Sequence, residues 1–80
     1  MSETDYTIVI DNGDGEAPYL YVVRAPSLTT AKIIAWAEHI GAGEAEMDDS
    51  AVRVQDHLCH EGTPSAAVGF WNDLREGGAA

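Results

Sequence analysis

The first part of the chain consists of two short apolar runs separated by turn-forming residues. Residues 6–10 (YTIVI) and 19–25 (YLYVVRA) are rich in β-branched and aromatic side chains, which predicts two β-strands. The segment 11–18 between them is rich in Asp, Asn and Gly, so we expect an antiparallel hairpin. Apolar residues occupy both parities of the second run, which predicts that this strand is covered, at least in part, on both faces.

The next element has helical periodicity. Ser27 has the side chain of a helix N-cap, and residues 28–40 follow it with apolar positions at a spacing of three and four. One face of this helix is predicted to pack on the sheet, and it contains Ile33, Trp36, Ala37 and Ile40, with Ile34 at its edge. Lys32 and His39 lie on the opposite face, which is expected to meet solvent. Gly41 suits a left-handed residue that ends the helix.

The remainder of the chain predicts a third strand and a second helix. Residues 51–58 form the strand, with Val52, Val54 and also Leu58 as candidates to face inward. Asp56 has the same parity, so we expect the strand to bulge or to end early there. Thr63 is placed as the N-cap of the second helix, directly before a proline that suits its first turn. The buried stripe of that helix is predicted to contain Ala67, Phe70, Trp71 and Leu74.

Together these elements predict an α+β fold in the order ββαβα. We expect one domain over residues 1–80, with a small three-stranded, mainly antiparallel sheet and both helices on one of its faces. The third strand either joins the far side of the first strand, giving the order 2-1-3, or lies beside the second strand. The first arrangement is favoured, because small antiparallel sheets are common and tolerate one wet face.

The net charge of the chain indicates the class of its binding partner. Fourteen Asp and Glu face four Lys and Arg, for a net charge of -10. Such a chain repels phosphate backbones and anionic membranes and attracts basic proteins, which excludes direct binding to nucleic acid or membrane. The acids gather in two predicted loops, and the candidate partner-binding residues are Asp11, Asp14, Glu16, Glu44, Glu46, Asp48 and Asp49. Alternatively, the acids serve only solubility or a saline habitat.

Catalytic and metal-binding chemistry finds little support. The segment 56–61 (DHLCHE) is the only one that resembles a site, because it holds two imidazoles, a thiol and two carboxylates. In an extended strand His57 and Cys59 share one face while His60 points away, so one metal ion cannot easily collect all three. No positioned base for a Cys59 nucleophile is evident either. The sequence therefore predicts a non-enzymatic protein with no metal, no cofactor and no catalytic residue.

The compartment follows from three features. The single cysteine cannot form an internal disulfide, and the first residues are acidic where a signal peptide needs positive charge. No apolar run is long enough to span a membrane. We expect a protein of the bacterial cytoplasm that is a monomer or a weak homodimer.

Residues 22–35 (VVRAPSLTTAKIIA) combine a strand that ends in a small residue, a Ser cap and a helix with an Ala-Lys pair. This pattern resembles small acidic phage-encoded type I anti-CRISPR proteins. The resemblance implies a protein that binds the RNA-guided surveillance complex and blocks its access to target DNA or its recruitment of a nuclease. The expectation is thus an inhibitor that acts partly as a DNA mimic. The alternative is a small acidic accessory or antitoxin-like protein-binding domain without DNA mimicry.

Overall fold

The computed structural model describes residues 3–13, 15, 17–43, 52–64 and 71–75, and these form one helix and a five-stranded sheet. The strands are β1 (Thr4–Asp11), β2 (Tyr19–Ala25), β3 (Arg53–Val54), β4 (His60–Glu61) and β5 (Asn72–Asp73). The helix is α1 (Leu28–Gly41), and a 3-10 helix spans Asp56–Leu58. The order across the sheet is β3-β1-β2-β5, and β4 also pairs with β1.

The predicted hairpin of β1 and β2 is confirmed. The two strands pair antiparallel in a register that runs from Thr4 opposite Ala25 to Ile10 opposite Tyr19. In the turn, Gly13 takes a left-handed φ of 73°, which favours glycine. Both faces of the hairpin are buried, as predicted, since Val22 on one face is 0% exposed and Val23 on the other is 2% exposed.

The placement of β3 on the far side of β1 is also confirmed. It pairs antiparallel with β1, with Ile10 opposite Val54. The prediction of a strand over residues 51–58 is too long, however, because the strand ends at Val54 and the chain turns into the 3-10 helix. The amide of Leu58 donates to the carbonyl of Gln55 at 2.9 Å, so the backbone satisfies itself locally there.

The prediction of two helices and three strands is wrong. Asn72 and Asp73, inside the predicted second helix, form strand β5, which runs parallel to β2. The amide of Leu74 donates to the carbonyl of Val22 at 2.8 Å, and the Asn72 side chain donates to the carbonyl of Leu20 at 3.3 Å. A helix here would leave the backbone groups of the β2 edge without these partners. Residues 65–70 of the predicted helix lie outside the described residues.

The orientation of α1 is the second correction. Its buried residues are Ala31, Ala35 and His39, whereas Ile33 is 64% exposed. The two alanines are small, so the helix can lie close to the core side chains of the sheet. The large apolar residues that were expected to face the sheet therefore turn outward or lie half-buried at its margin. The left-handed residue after the helix is Gly43, with a φ of 81°, and not Gly41.

Candidate functional site

Asp11 is the one predicted partner-binding acid among the described residues. Its carboxylate accepts a hydrogen bond from the amide of Gly13 at 2.9 Å, so it stabilises the hairpin turn. In the sheet register it lies opposite Arg53. The other predicted acids lie outside the described residues, and they are Asp14, Glu16, Glu44, Glu46, Asp48 and Asp49.

Three of the four basic side chains are held by carboxylates of the same chain. Arg24 pairs with Asp5 at 2.9 Å, directly across the β1–β2 ladder. Arg75 pairs with Asp5 at 3.0 Å and with Asp73 at 2.8 Å. Lys32, the third of these cations, pairs with Asp56 at 2.8 Å. Local neutralisation of this kind argues against a phosphate-binding patch formed by these three cations.

The ion pairs shift the pKa values of Asp5, Asp73 and Lys32. The hydrogen bonds from Arg24 and then Arg75 lower the pKa of Asp5 below 3.8. The hydrogen bond from Arg75 lowers the pKa of Asp73 from 3.8 to about 2. The hydrogen bond to Asp56 raises the pKa of Lys32. All of these groups are thus charged at neutral pH, and the cations remain occupied.

The outward face of α1 holds a groove of about 500 Å³. Its lining residues, which we call the α1 groove, are Lys32, Ile33, Trp36, Ala37, Ile40 and Gly41. The sequence singled out four of these residues as one apolar face, but assigned that face to the core. Large apolar residues on a helix surface, next to a concave site, are a usual signature of a protein-binding surface.

The Cys59 thiol is part of the fold. It is half-buried, and its sulfur accepts a hydrogen bond from the amide of Val9 at 3.4 Å and donates to the carbonyl of Gln55 at 3.4 Å. The ring nitrogens of His60 lie near the carbonyls of Leu58 and Thr63, at 3.2 Å and 3.4 Å. Among the residues that the structure describes, no group of three His, Cys, Asp or Glu is placed to hold a metal ion.

His39, which was predicted to face solvent, is fully buried between β2 and the hairpin turn. Its Nδ1 lies 2.6 Å from the Tyr21 hydroxyl, and its Nε2 lies 2.6 Å from Asn12 Oδ1. An amide oxygen can only accept, so Nε2 donates to Asn12, and in the neutral ring Nδ1 then accepts from the Tyr21 hydroxyl. This row of hydrogen bonds has the chemistry of a proton relay, but Tyr21 is only 3% exposed and His39 is 0% exposed. It therefore clamps the helix to the sheet, and no substrate reaches it.

One sequence signal could have placed His39 inside. Ala31, Ala35 and His39 follow one another at a spacing of four, so they share a face that is narrower and less apolar than the one chosen. The tyrosines at 19 and 21 lie on one face of β2, and the Tyr19 ring meets His39 edge-on with centroids 4.8 Å apart. The spacing along the helix does not reveal the polar partner of His39 on the sheet, which is Tyr21.

In comparisons with protein-family models, with curated proteins and with solved structures, nothing matches this chain. Within the described ranges, the structure contains no helix long and apolar enough to cross a membrane.

Proposed function

We propose that this protein is a non-enzymatic inhibitor that binds a basic, nucleic-acid-handling protein and blocks its access to DNA, acting partly as a DNA mimic. The observation that carries the proposal is the net charge of -10 together with the internal pairing of three of the four cations. Carboxylates of the acidic loops would pair with Arg and Lys where phosphates otherwise bind. Such a surface speeds encounter with a basic protein and repels nucleic acid itself.

The proposed target is a type I RNA-guided surveillance complex, on the resemblance of residues 22–35 to small anti-CRISPR proteins. RNA-guided complexes hold nucleic acid in a positively charged channel, which is the kind of surface that a polyanionic protein can occupy. The Asp11 carboxylate already accepts a hydrogen bond from Gly13 in the turn. The proposed binding to the partner therefore rests mainly on the acids of the segments 14–16 and 44–49, which the sequence predicts as loops.

The test is displacement of labelled target DNA from a purified type I surveillance complex. We expect the protein to displace the DNA, and to do so less well as salt rises, because salt screens the attraction between the acids and a basic partner. The double variant Asp48→Lys and Asp49→Lys, which reverses two of the acids, should weaken displacement several-fold. Glu3→Lys is the control, since Glu3 is exposed and outside both segments, and one such charge contributes about 0–1 kcal/mol. Displacement that changes neither with salt nor with the charge reversals at Asp48 and Asp49 would overturn DNA mimicry.

The second candidate is an accessory or antitoxin-like domain that binds protein without mimicking DNA. The exposed apolar residues of α1 favour it, because they offer a surface whose binding does not depend on the acidic loops. The two candidates differ in the same experiment. Binding to a protein partner that persists at high salt and leaves bound DNA in place supports the second candidate.

A further inference from the structure

Helix α1 presents Ile33 and Ile34 to solvent and Ala31 and Ala35 to the core, while Trp36 is half-buried and packs against the core. Ile33 is 64% exposed and Ile34 is 39% exposed, while Ala31 and Ala35 are fully buried. Apolar surface in water is unfavourable, and a contiguous patch beside a groove gains free energy when a partner covers it. The α1 groove is therefore a surface suited to binding.

The shape of the groove fits another helix. Its lining forms two parallel rows of residues four apart, one running Lys32–Trp36–Ile40 and the other Ile33–Ala37–Gly41. Side chains in the second row shrink from Ile to Ala to Gly, which leaves room for a second backbone to come close. Ridges of one helix pack between such rows of another. The rows extend along about 13 Å of the helix axis, which matches two to three turns of a partner helix.

Charge around the groove selects the kind of helix. Asp56, whose side chain is 73% exposed, pairs with Lys32 at one edge of the groove, so these two charges balance each other. The chain as a whole carries a net charge of -10. A second copy of this chain would bring the same negative charge and be repelled, whereas a basic helix would be attracted.

We infer that the α1 groove binds an amphipathic helix of a basic partner protein. Apolar side chains of that helix, spaced by three and four residues, fill the groove over Ala37 and Gly41, and its Lys and Arg side chains are attracted by the net negative charge of the chain. The positive charge of the occupant rests on the proposed function. The assignment of the groove as a binding site rests on the exposure of Ile33 and on the shape of the two rows of residues.

The probe is a synthetic Leu/Lys peptide of about 14 residues, roughly four helical turns, with Leu at helical spacing. A scrambled peptide of the same composition measures attraction by charge alone, and a Leu/Glu peptide tests the sign of the charge. Affinity is measured by fluorescence anisotropy, and the site by amide chemical shifts. We expect the Leu/Lys peptide to bind more tightly than both controls, with shifts centred on Ile33, Trp36 and Ile40.

Two variants of the protein locate the site. Ala37→Arg fills the groove with a long cationic side chain in a good helix former, and Ile33→Ser removes its most exposed apolar side chain. Each should weaken the Leu/Lys peptide about tenfold, in line with the burial of one large apolar side chain. Ile34→Ser is the matched control, because Ile34 is exposed on the same helix but lies outside the groove lining, and it should change affinity little.

The results separate this inference from the proposed function. Equal binding of the scrambled peptide, or equal effects of Ile33→Ser and Ile34→Ser, would overturn the groove while leaving DNA displacement untouched. Equal binding of the Leu/Glu peptide would overturn the basic character of the occupant. Failure to displace DNA, with the Leu/Lys peptide still bound in the groove, would remove the proposed function alone. A dimer that Ala37→Arg dissolves, seen by sedimentation equilibrium, would assign the face to a second copy and overturn the inference.

Discussion

The Tyr21 hydroxyl and the His39 imidazole lie 2.6 Å apart, and this hydrogen bond joins β2 to the C-terminal half of α1 in a fully buried position. The other ring nitrogen of His39 reaches Asn12 at the end of β1. One side chain thus connects the helix to both strands of the hairpin. The contact explains why a histidine, and not one of the isoleucines of α1, occupies the inner face.

The first prediction concerns this buried pair. His39→Ala should lower the free energy of unfolding by about 2–4 kcal/mol, because it leaves a cavity and two polar partners without the imidazole. Tyr21→Phe should cost about 1–3 kcal/mol, since it leaves Nδ1 without its donor. Glu38→Ala, on the exposed neighbour of His39, is the control and should change stability by less than about 0.5 kcal/mol. Urea denaturation measures all three, and equal effects of the His39 and Glu38 variants would contradict the clamp.

The second prediction concerns acid. The pKa of Asp73 is lowered from 3.8 to about 2 by Arg75, so its folded value lies below its unfolded value. The stabilisation is therefore complete above about pH 4 and is lost as pH falls toward about 2. Asp5 contributes in the same direction. Asp73→Asn should flatten the pH dependence of stability in this window, and Arg75→Gln should flatten it as well, because it removes the cause. Urea midpoints over a pH series measure this, and parallel curves for the wild-type and variant proteins would refute it.

The third prediction distinguishes β5 from the helix that the apolar spacing indicated. The amide of Leu74 donates to the carbonyl of Val22, so we expect it to be protected from hydrogen exchange. Nuclear Overhauser contacts should connect the backbones of 72–73 and 21–22, in agreement with the parallel register. Contacts between residues three apart within 71–75, together with exchange of the Leu74 amide as fast as that of a loop, would restore the helix.

The fourth prediction concerns metal. The Cys59 sulfur is engaged with Val9 and Gln55, so we expect the purified protein to contain no stoichiometric zinc. Elemental analysis measures this directly. A content of about one zinc per chain that Cys59→Ser abolishes would show that the segment 56–61 is a metal site after all.

Local sequence determined the parts of this fold whose partners are close in the chain. The β1–β2 hairpin follows from two β-prone runs around a Gly-rich turn, and the start of α1 follows from Ser27, whose hydroxyl accepts from the amide of Thr30 at 3.2 Å. The early end of β3 before Asp56 was likewise expected from the break in its apolar alternation. The net charge of -10 also needs no structure.

Tertiary structure decided which face of α1 is inside and what residues 72–73 become. A helical wheel ranks faces by hydrophobicity, and by that measure Ile33 and its neighbours outrank Ala31, Ala35 and His39. Packing against a sheet also rewards small side chains and a satisfied hydrogen bond, and the Tyr21 hydroxyl that satisfies His39 is 18 residues away in the chain. The spacing of Trp71 and Leu74 suits a helix, but the edge of β2 offers backbone partners at positions 20 and 22. These are nonlocal partners, so periodicity cannot reveal them, and the exposed groove appears only once they are in place.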